Sequence, residues 1–328
     1  MHDLRNATVV ITGASSGIGK AAALAFARRG ANLALAARRL PALEEVAYLC
    51  EQLGVRAIAV EADVTEFKAT ERLAQRAMEA FGRIDVWINN AGTGLFGAFP
   101  DGGIAAHKRV VETNLFGAMN GTAAVLPHFR RQGRGILITN ISLGGFAPVP
   151  FAAAYAASKF GLRGFTASLR QELADVPGIS VCSVYPAVID SPGLHHGANY
   201  SGRALSPGAP VYTPEEVAAA MVGLALAPRD EVAVGWPSRA AWLGYALAPW
   251  TTERILGFVF RRYLKHARPA PETSGNLFQP VEAGTSVRGG FGSGPALLQG
   301  KGLALAGIGA AAIILLLRRR AGRSPRFP

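Results

Sequence analysis

Along the first 190 residues, short apolar runs alternate with longer stretches in which apolar positions recur at helical spacing. Residues 7–12 (Ala7-Thr8-Val9-Val10-Ile11-Thr12) read as a strand and 17–29 as a helix, followed by a strand over 32–36 and a helix over 41–53. The rhythm continues with strand 56–60, helix 68–81, strand 86–89, helix 106–129, strand 135–140, helix 155–173 and strand 180–185. Strands that are apolar on both faces and separated by helices belong in a parallel sheet covered on both sides. The predicted fold class is therefore α/β, a doubly wound parallel sheet with helices on both faces. Its ligands are expected outside the carboxyl ends of the strands.

Beyond Pro186 the pattern breaks. Residues 187–214 form a stretch long enough to serve as a lid over a site, and helical spacing resumes over 215–226. Residues 268–301 are rich in Gly, Pro and Ser with little periodicity, which predicts a linker laid on or away from the domain. Gly302 to Leu317 is a run of sixteen residues without a charge, closed by Arg318, Arg319 and Arg320. As a helix it would reach about 24 Å against a hydrocarbon core of about 30 Å, and it has no polar face. A crossing from the cytoplasm would carry the arginines to the far side, against the usual retention of basic flanks. A shallow or re-entrant membrane anchor, or an inverted arrangement, is the better expectation, with Trp242 to Leu264 resting at the interface beside it.

Composition narrows the class further. With 328 residues, half of them apolar, the chain can bury a sizeable core. Cys50 and Cys182 stand far apart without metal-ligand spacing, and the polar start runs straight into the first strand, leaving no room for a signal sequence. A reducing, cytoplasmic location is expected, on the membrane face if the tail anchors. The net charge of +12 is concentrated behind residue 252, where twelve Lys or Arg meet three Glu. Basic residues that follow a purely apolar run suit a lipid surface rather than nucleic acid, which calls for basic and aromatic residues interleaved on a folded face. The sequence allows a homo-oligomer without specifying one.

Candidate chemistry sits at the predicted strand ends. TGASSGIG, residues 12–19, lies where the first strand turns into the first helix; its glycines let the backbone approach a pyrophosphate while the helix amino end supplies N–H donors. The spacing of Gly13, Gly17 and Gly19 is not that of the common G-x-G-x-x-G fingerprint. After the second strand, where an acidic residue would hold the ribose hydroxyls of NAD(H), the chain reads Ala36-Ala37-Arg38-Arg39. Nothing there repels a 2′-phosphate, and Arg38 offers one a planar fork of donors, so NADP(H) is the expected cofactor. Asp63 and Val64, Asn89 to Gly92, and Pro186 to Ser191 fall at later strand ends on the same side.

Tyr155 and Lys159 are one helical turn apart, so an ammonium can stand beside the phenol and favour its ionised form. Ser142, after the fifth strand, can hydrogen-bond a substrate oxygen, and Asn114, inside the 106–129 helix, can present its side-chain amide to a buried water. Apolar walls are expected from Leu95, Phe96, Phe146, Pro148, Val149, Phe151 and Leu194, which suits an apolar ketone, aldehyde or alcohol. His195 and His196 lack a third ligand and read as mobile loop histidines, so no metal is predicted.

Together, TGASSGIG, Asn89-Asn90-Ala91-Gly92, Asn114, Ser142 and Tyr155-Ala156-Ala157-Ser158-Lys159 resemble the short-chain dehydrogenases/reductases in order and spacing, over roughly residues 5–250. The resemblance implies one Rossmann-type catalytic domain, here 1–267, and a tetrad of Asn114, Ser142, Tyr155 and Lys159. It implies a proton relay from Tyr155 through a ribose hydroxyl, Lys159 and water to Asn114, with Lys159 also binding the nicotinamide ribose and the Ile189 backbone meeting the carboxamide. Ser191 stands where the family often has threonine, and Ala187 where it usually has glycine. The residues expected against the cofactor are Gly13, Ser15, Ser16, Gly17, Ile18, Gly19, Arg38, Arg39, Asp63, Val64, Asn90, Ala91, Gly92, Tyr155, Lys159, Pro186, Ile189 and Ser191. The expected reaction is hydride transfer between the nicotinamide and a CH–OH or C=O carbon. The alternatives are a membrane-tethered NADPH-binding sensor, and an epimerase or dehydratase, for which the usual Gly-x-x-Gly-x-x-Gly turn and larger carboxyl-terminal domain are missing.

Overall fold

Alternation of side chains along each strand sends apolar residues to both faces of one sheet, and each face is sealed by helices. A computed structural model of the chain describes residues 3–208 and 210–292. The strands are β1 (Thr8–Thr12), β2 (Asn32–Ala37), β3 (Ala57–Glu61), β4 (Val86–Asn89), β6 (Gly135–Asn140), β7 (Ile179–Pro186) and β9 (Glu231–Val234). They form a seven-stranded sheet, ordered β3-β2-β1-β4-β6-β7-β9, with every pairing parallel. Val9, Ile11, Leu33, Leu35, Val86 and Ile88 point to one face, where they pack with α1 (Gly17–Ala27), α2 (Leu40–Glu51) and α8 (Pro214–Leu226). Val10, Ala34, Ala36 and Trp87 point to the other and meet α3 (Phe67–Phe81), α5 (Gly117–Gln132) and α6 (Ala153–Glu172). The order reverses between β1 and β4, and this switch point opens the crevice where an α/β sheet takes its ligand.

The predicted helix 106–129 is not a single regular helix. It is α4 (Gly103–Val111) and α5, joined by a wider π turn over Glu112–Phe116 with Asn114 at its middle. A π turn inserts one extra residue into the helical ladder and re-aims the side chains around it. Here it buries Asn114, which is 1% exposed.

The stretch 187–214 is more ordered than a plain lid. It holds a helical turn, α7 (Gly193–His196), and β8 (Ala198–Asn199), which pairs with β5 (Leu95–Phe96) in a second, two-stranded sheet. A Thr213–Glu216 capping box then starts α8. The last two helices among the described residues, α9 (Trp236–Leu247) and α10 (Pro249–His266), form a hairpin over one end of the crevice. Residues 268–292 lie on the domain, returning across the carboxyl ends of the strands. The apolar run 302–317 and its arginines lie outside the described residues. Among those described, no helix is long and apolar enough to cross a membrane.

Candidate active site

The glycine turn owes its shape to close backbone approach. A Cβ on Gly19 would stand 2.1 Å from the Gly13 carbonyl oxygen, and one on Gly13, at φ +67°, would meet Ala91 Cα at 2.8 Å. Thr12 Oγ1 accepts the Asn90 and Ala91 N–H groups and donates to Ile88 O, and Asn90 Nδ2 donates to the carbonyls of Thr12 and Gly13. These bonds tie β1 to β4 and hold the turn open over the first residues of α1. Among the described residues no acceptor meets the N–H of Ile18 or Gly19, so both are left for an anion at the helix amino end.

Arg38 and Arg39 follow β2 at the rim of the same cavity, and burial lowers both guanidinium pKa values without discharging them. Asp63 lies opposite. Burial alone would raise its carboxyl, but the N–H and hydroxyl of Thr65 and the charges of Arg109 and Arg38 hold it below the ordinary carboxylate value. Its Oδ2 takes Arg109 at 2.7 Å and its Oδ1 takes Thr65, so the carboxylate is fully engaged within the protein. Val64 is packed under Gly117, where a Cβ would stand 2.6 Å from its methyl group.

At the other end of the crevice stand Ser142, Tyr155 and Lys159. Ser142 adopts φ 139°, a strained backbone for a residue with a side chain, and its Oγ accepts from Gly144 N at 3.1 Å. Lys159 Nζ donates to the Asn140 carbonyl at 3.2 Å and lies 5.6 Å from the centre of the Tyr155 ring. Burial pulls the Lys159 ammonium down to about 8. The expected lowering of the Tyr155 phenol is not found: its burial outweighs the Ser142 hydrogen bond and raises it. The ammonium is directed to the β6 carbonyl, and burial disfavours the ionised phenol.

The Asn114 side-chain amide is held in place: Oδ1 accepts Thr93 N at 2.8 Å, while Nδ2 donates to Thr93 O at 2.9 Å and to Ser158 Oγ at 3.0 Å, which leaves one lone pair on Oδ1. Ser158 in turn donates to Tyr155 O at 2.7 Å, so the π turn, the β4–β5 loop and α6 are locked together one residue from Lys159. At the end of β7, Val188 O and Asp190 N bond to Tyr212, which turns the Ile189 N–H the other way, without an acceptor among the described residues.

One cavity of about 640 Å³ joins these groups. It runs from Gly13, Ile18 and Arg38 past Asn90 and Lys159 to Tyr155 and Ser142, then widens against Leu95, Phe96, Pro148, Val149 and Leu194. Every residue expected against the cofactor lines it. Asn114 stands behind the wall. Two expected wall residues do not line the cavity: Phe146 stacks on Tyr185 at 3.9 Å in the core, and Phe151 sits at φ 61° with its carbonyl bound by Gly97 N. The missing area comes from the hairpin, through Ala240, Ala241, Ile255, Leu256 and Phe260. His196 is buried rather than mobile, with Nε2 3.1 Å from Ala283 O, and His195 stacks on Phe291. Among the described residues no group of His, Cys, Asp or Glu could hold a metal ion.

Sequence reasoning gave no role to Thr12, Thr93, Arg109, Asn140 or Ser158, all of which position the groups above. For Asn140 a signal existed: a lone amide closing an otherwise apolar strand at its carboxyl end.

A parallel sheet with a glycine-rich turn at its switch point and a Ser, Tyr and Lys around one crevice defines a nucleotide-dependent α/β protein. The short chain dehydrogenase family profile matches residues 7–199, and the chain belongs to this family of oxidoreductases. It is similar to the "Uncharacterized oxidoreductase YxnA" of Bacillus subtilis (strain 168), 34% identical over 294 residues covering 88% of this chain and 82% of that protein. Human "Dehydrogenase/reductase SDR family member 7" is 35% identical over 58% of this chain and 57% of its own length. Among solved structures, an alcohol dehydrogenase from Thermococcus sibiricus complexed with 5-hydroxy-NADP aligns with TM-score 0.62 at 28% identity, over 70% of this chain and 95% of that one. A metagenomic short-chain oxidoreductase in complex with NADP gives 0.60 at 30% identity, over 70% of this chain and 97% of that one.

Proposed function

We propose that the protein is an NADP(H)-dependent oxidoreductase that interconverts a carbonyl and an alcohol on an apolar substrate, with Tyr155 exchanging the proton. The observation that carries this reading is a single cavity with Arg38, Arg39 and the unclaimed N–H groups of α1 at one end, apolar walls at the other, and Tyr155 between them. The unclaimed N–H groups of Ile18 and Gly19 suit the pyrophosphate, Arg38 and Arg39 suit the 2′-phosphate, and Ile189 N–H suits the carboxamide. The 5-hydroxy-NADP and NADP held by the two solved relatives support the same assignment. When bound, the nicotinamide supplies or accepts hydride at carbon.

The protein's own groups handle the oxygen. Ser142 holds the substrate carbonyl oxygen by its hydroxyl, and Tyr155 donates its phenolic proton to that oxygen as negative charge develops. A phenol kept protonated by burial is the form this direction needs. Lys159 stabilises the phenolate left behind and, through its bond to Asn140, keeps a fixed place beside the ring. Oxidation runs the same steps backwards. Incubation with NADPH and a panel of ketones and aldehydes, followed by loss of nicotinamide absorbance, tests the assignment. Turnover is expected on apolar members and not on sugars, whereas NADPH binding without oxidation by any carbonyl would turn the conclusion toward a sensor.

The same reading puts the protein at the cytoplasmic surface of a membrane. The outer face of the α9–α10 hairpin exposes Trp242, Leu243, Leu247, Trp250 and Phe258, interleaved with exposed Arg239, Arg254, Arg261, Arg262 and Lys265. Aromatic rings with long basic side chains suit an anionic headgroup layer. Sedimentation with anionic vesicles should bring down the full chain; a protein left wholly in the supernatant would count against membrane attachment.

A further inference from the structure

The chain that leaves α10 does not trail away. It runs out along one side of the crevice to the two arginines and comes back along the other. Thr273 exchanges two backbone bonds with Asn199, at 2.8 and 2.9 Å. Asn276 then donates its N–H to His196 O at 2.8 Å and accepts from Thr93 Oγ1 on its side-chain oxygen at 2.5 Å. Leu277, 1% exposed, is plugged among Leu95, Ala106, Val110, Ala154 and Ala198. On the return, the N–H groups of Gly289 and Phe291 share Asp190 Oδ1 at 3.1 and 2.9 Å. Both ends are thus anchored to the elements that flank the site.

Between the anchors, the segment presents carbonyl oxygens to the donors of the phosphate rim. Arg38 Nη2 donates to Asn276 O at 2.5 Å, and Arg39 Nη1 reaches the carbonyls of Val281, Glu282 and Ala283 at 2.7, 3.1 and 3.0 Å. Arg109 Nε donates to Leu277 O at 3.1 Å, and the Gly17 N–H donates to Ser286 O at 3.0 Å. The seat is built for backbone contact. A Cβ on Gly275, at φ +51°, would stand 2.3 Å from His196 O, and one on Gly284, at φ +76°, 2.3 Å from His196 Nε2.

We infer that residues 273–291 are a strap that completes the dinucleotide site, fixing Arg38 and Arg39 through its own carbonyls and closing over NADP(H) so that the cofactor leaves only when the strap opens. The inference rests on the reading above that this site takes NADP(H). The strap closes the site without filling it. The cavity of about 640 Å³ persists beneath, with Asn276, Pro280 and Val281 as part of its wall. The strap claims the N–H of Gly17 but not those of Ile18 and Gly19, and each guanidinium keeps donors that no strap carbonyl uses. Arg38 and Arg39, brought together at one rim, repel one another, and backbone carbonyls are neutral partners that hold them without cancelling the charge a phosphate needs.

Two measurements on the full chain test the strap. In the first, a stopped-flow chase follows NADPH release from the unaltered protein and from Leu277→Ala, which empties the plug. Release from the variant should be tenfold or more faster. In the second, hydrogen exchange on the unaltered protein is compared with and without saturating NADP+. The amides of Asn276, Gly289 and Phe291 should exchange more slowly with the cofactor bound. Faster exchange on binding would overturn the inference by showing that strap and cofactor compete, and unchanged exchange would overturn it as well. A chain that binds no NADPH overturns the cofactor reading itself, whereas binding with unaltered release in Leu277→Ala overturns the strap alone.

Discussion

Replacing Tyr155 with Phe is expected to lower turnover by about 10²–10⁴-fold, the usual contribution of a positioned acid or base, while NADPH still binds. The ring of the variant still fills its place beside Gly144, whose Cβ position is 3.0 Å from Tyr155 Cε1, so the cavity keeps its shape and only the proton is lost. Single-turnover measurement of hydride transfer is the direct assay, and a variant retaining more than a tenth of the rate would refute the role given to Tyr155. The pH profile of the unaltered protein offers a companion readout. Lys159 carries its charge below about 8 and loses it above. Without that charge the phenolate left by proton donation is no longer stabilised, so carbonyl reduction should fall as pH rises through that value. In Lys159→Arg this limb should disappear, because a guanidinium does not discharge in the accessible range.

The second large effect is expected at the phosphate rim. Arg38→Asp should weaken NADPH binding on the order of a hundredfold or more, because charge-assisted hydrogen bonds of about 1.5–3 kcal/mol each are lost and a carboxylate now faces the 2′-phosphate. NADH, without that phosphate, should be affected much less. Titration of both nucleotides against the variant measures the ratio, and an unchanged preference for NADPH would remove Arg38 from the phosphate site. The substitution also withdraws the donor from Asn276 O, so some loosening common to both nucleotides is expected on top of the discrimination.

The sheet and its order of use were legible because the physics that builds them is written in side chains. Val9, Val10 and Ile11, apolar in succession, announce a strand buried on both faces, and TGASSGIG marks the turn that only glycines can make. The joint order of Asn114, Ser142, Tyr155 and Lys159 pointed to one crevice, and Ser142, Tyr155 and Lys159 line it. What stayed hidden was carried by the backbone. The π turn at Glu112–Phe116 leaves the apolar spacing on either side nearly unchanged, so the pattern read as one helix. The strap binds through carbonyls, which every residue owns, and its composition of Gly, Pro and Ser resembles that of a free linker. Leu277 was its single buried apolar anchor, too little to stand out in a sequence. The direction of the Tyr155 shift was missed for a different reason: spacing shows that Lys159 is near, but not how deeply the phenol is buried.

The hairpin of α9 and α10 has one further consequence. Its inner side, with Ala240, Ala241, Ile255, Leu256 and Phe260, roofs the apolar end of the cavity, and its outer side bears the tryptophans. Any tilt that seats those rings differently must also raise or lower the roof. If the cavity takes an apolar reactant and the tryptophans meet a lipid surface, as proposed, selectivity for reactant size and the grip on that surface become mechanically one property, and variants chosen for bulkier reactants should show an altered grip.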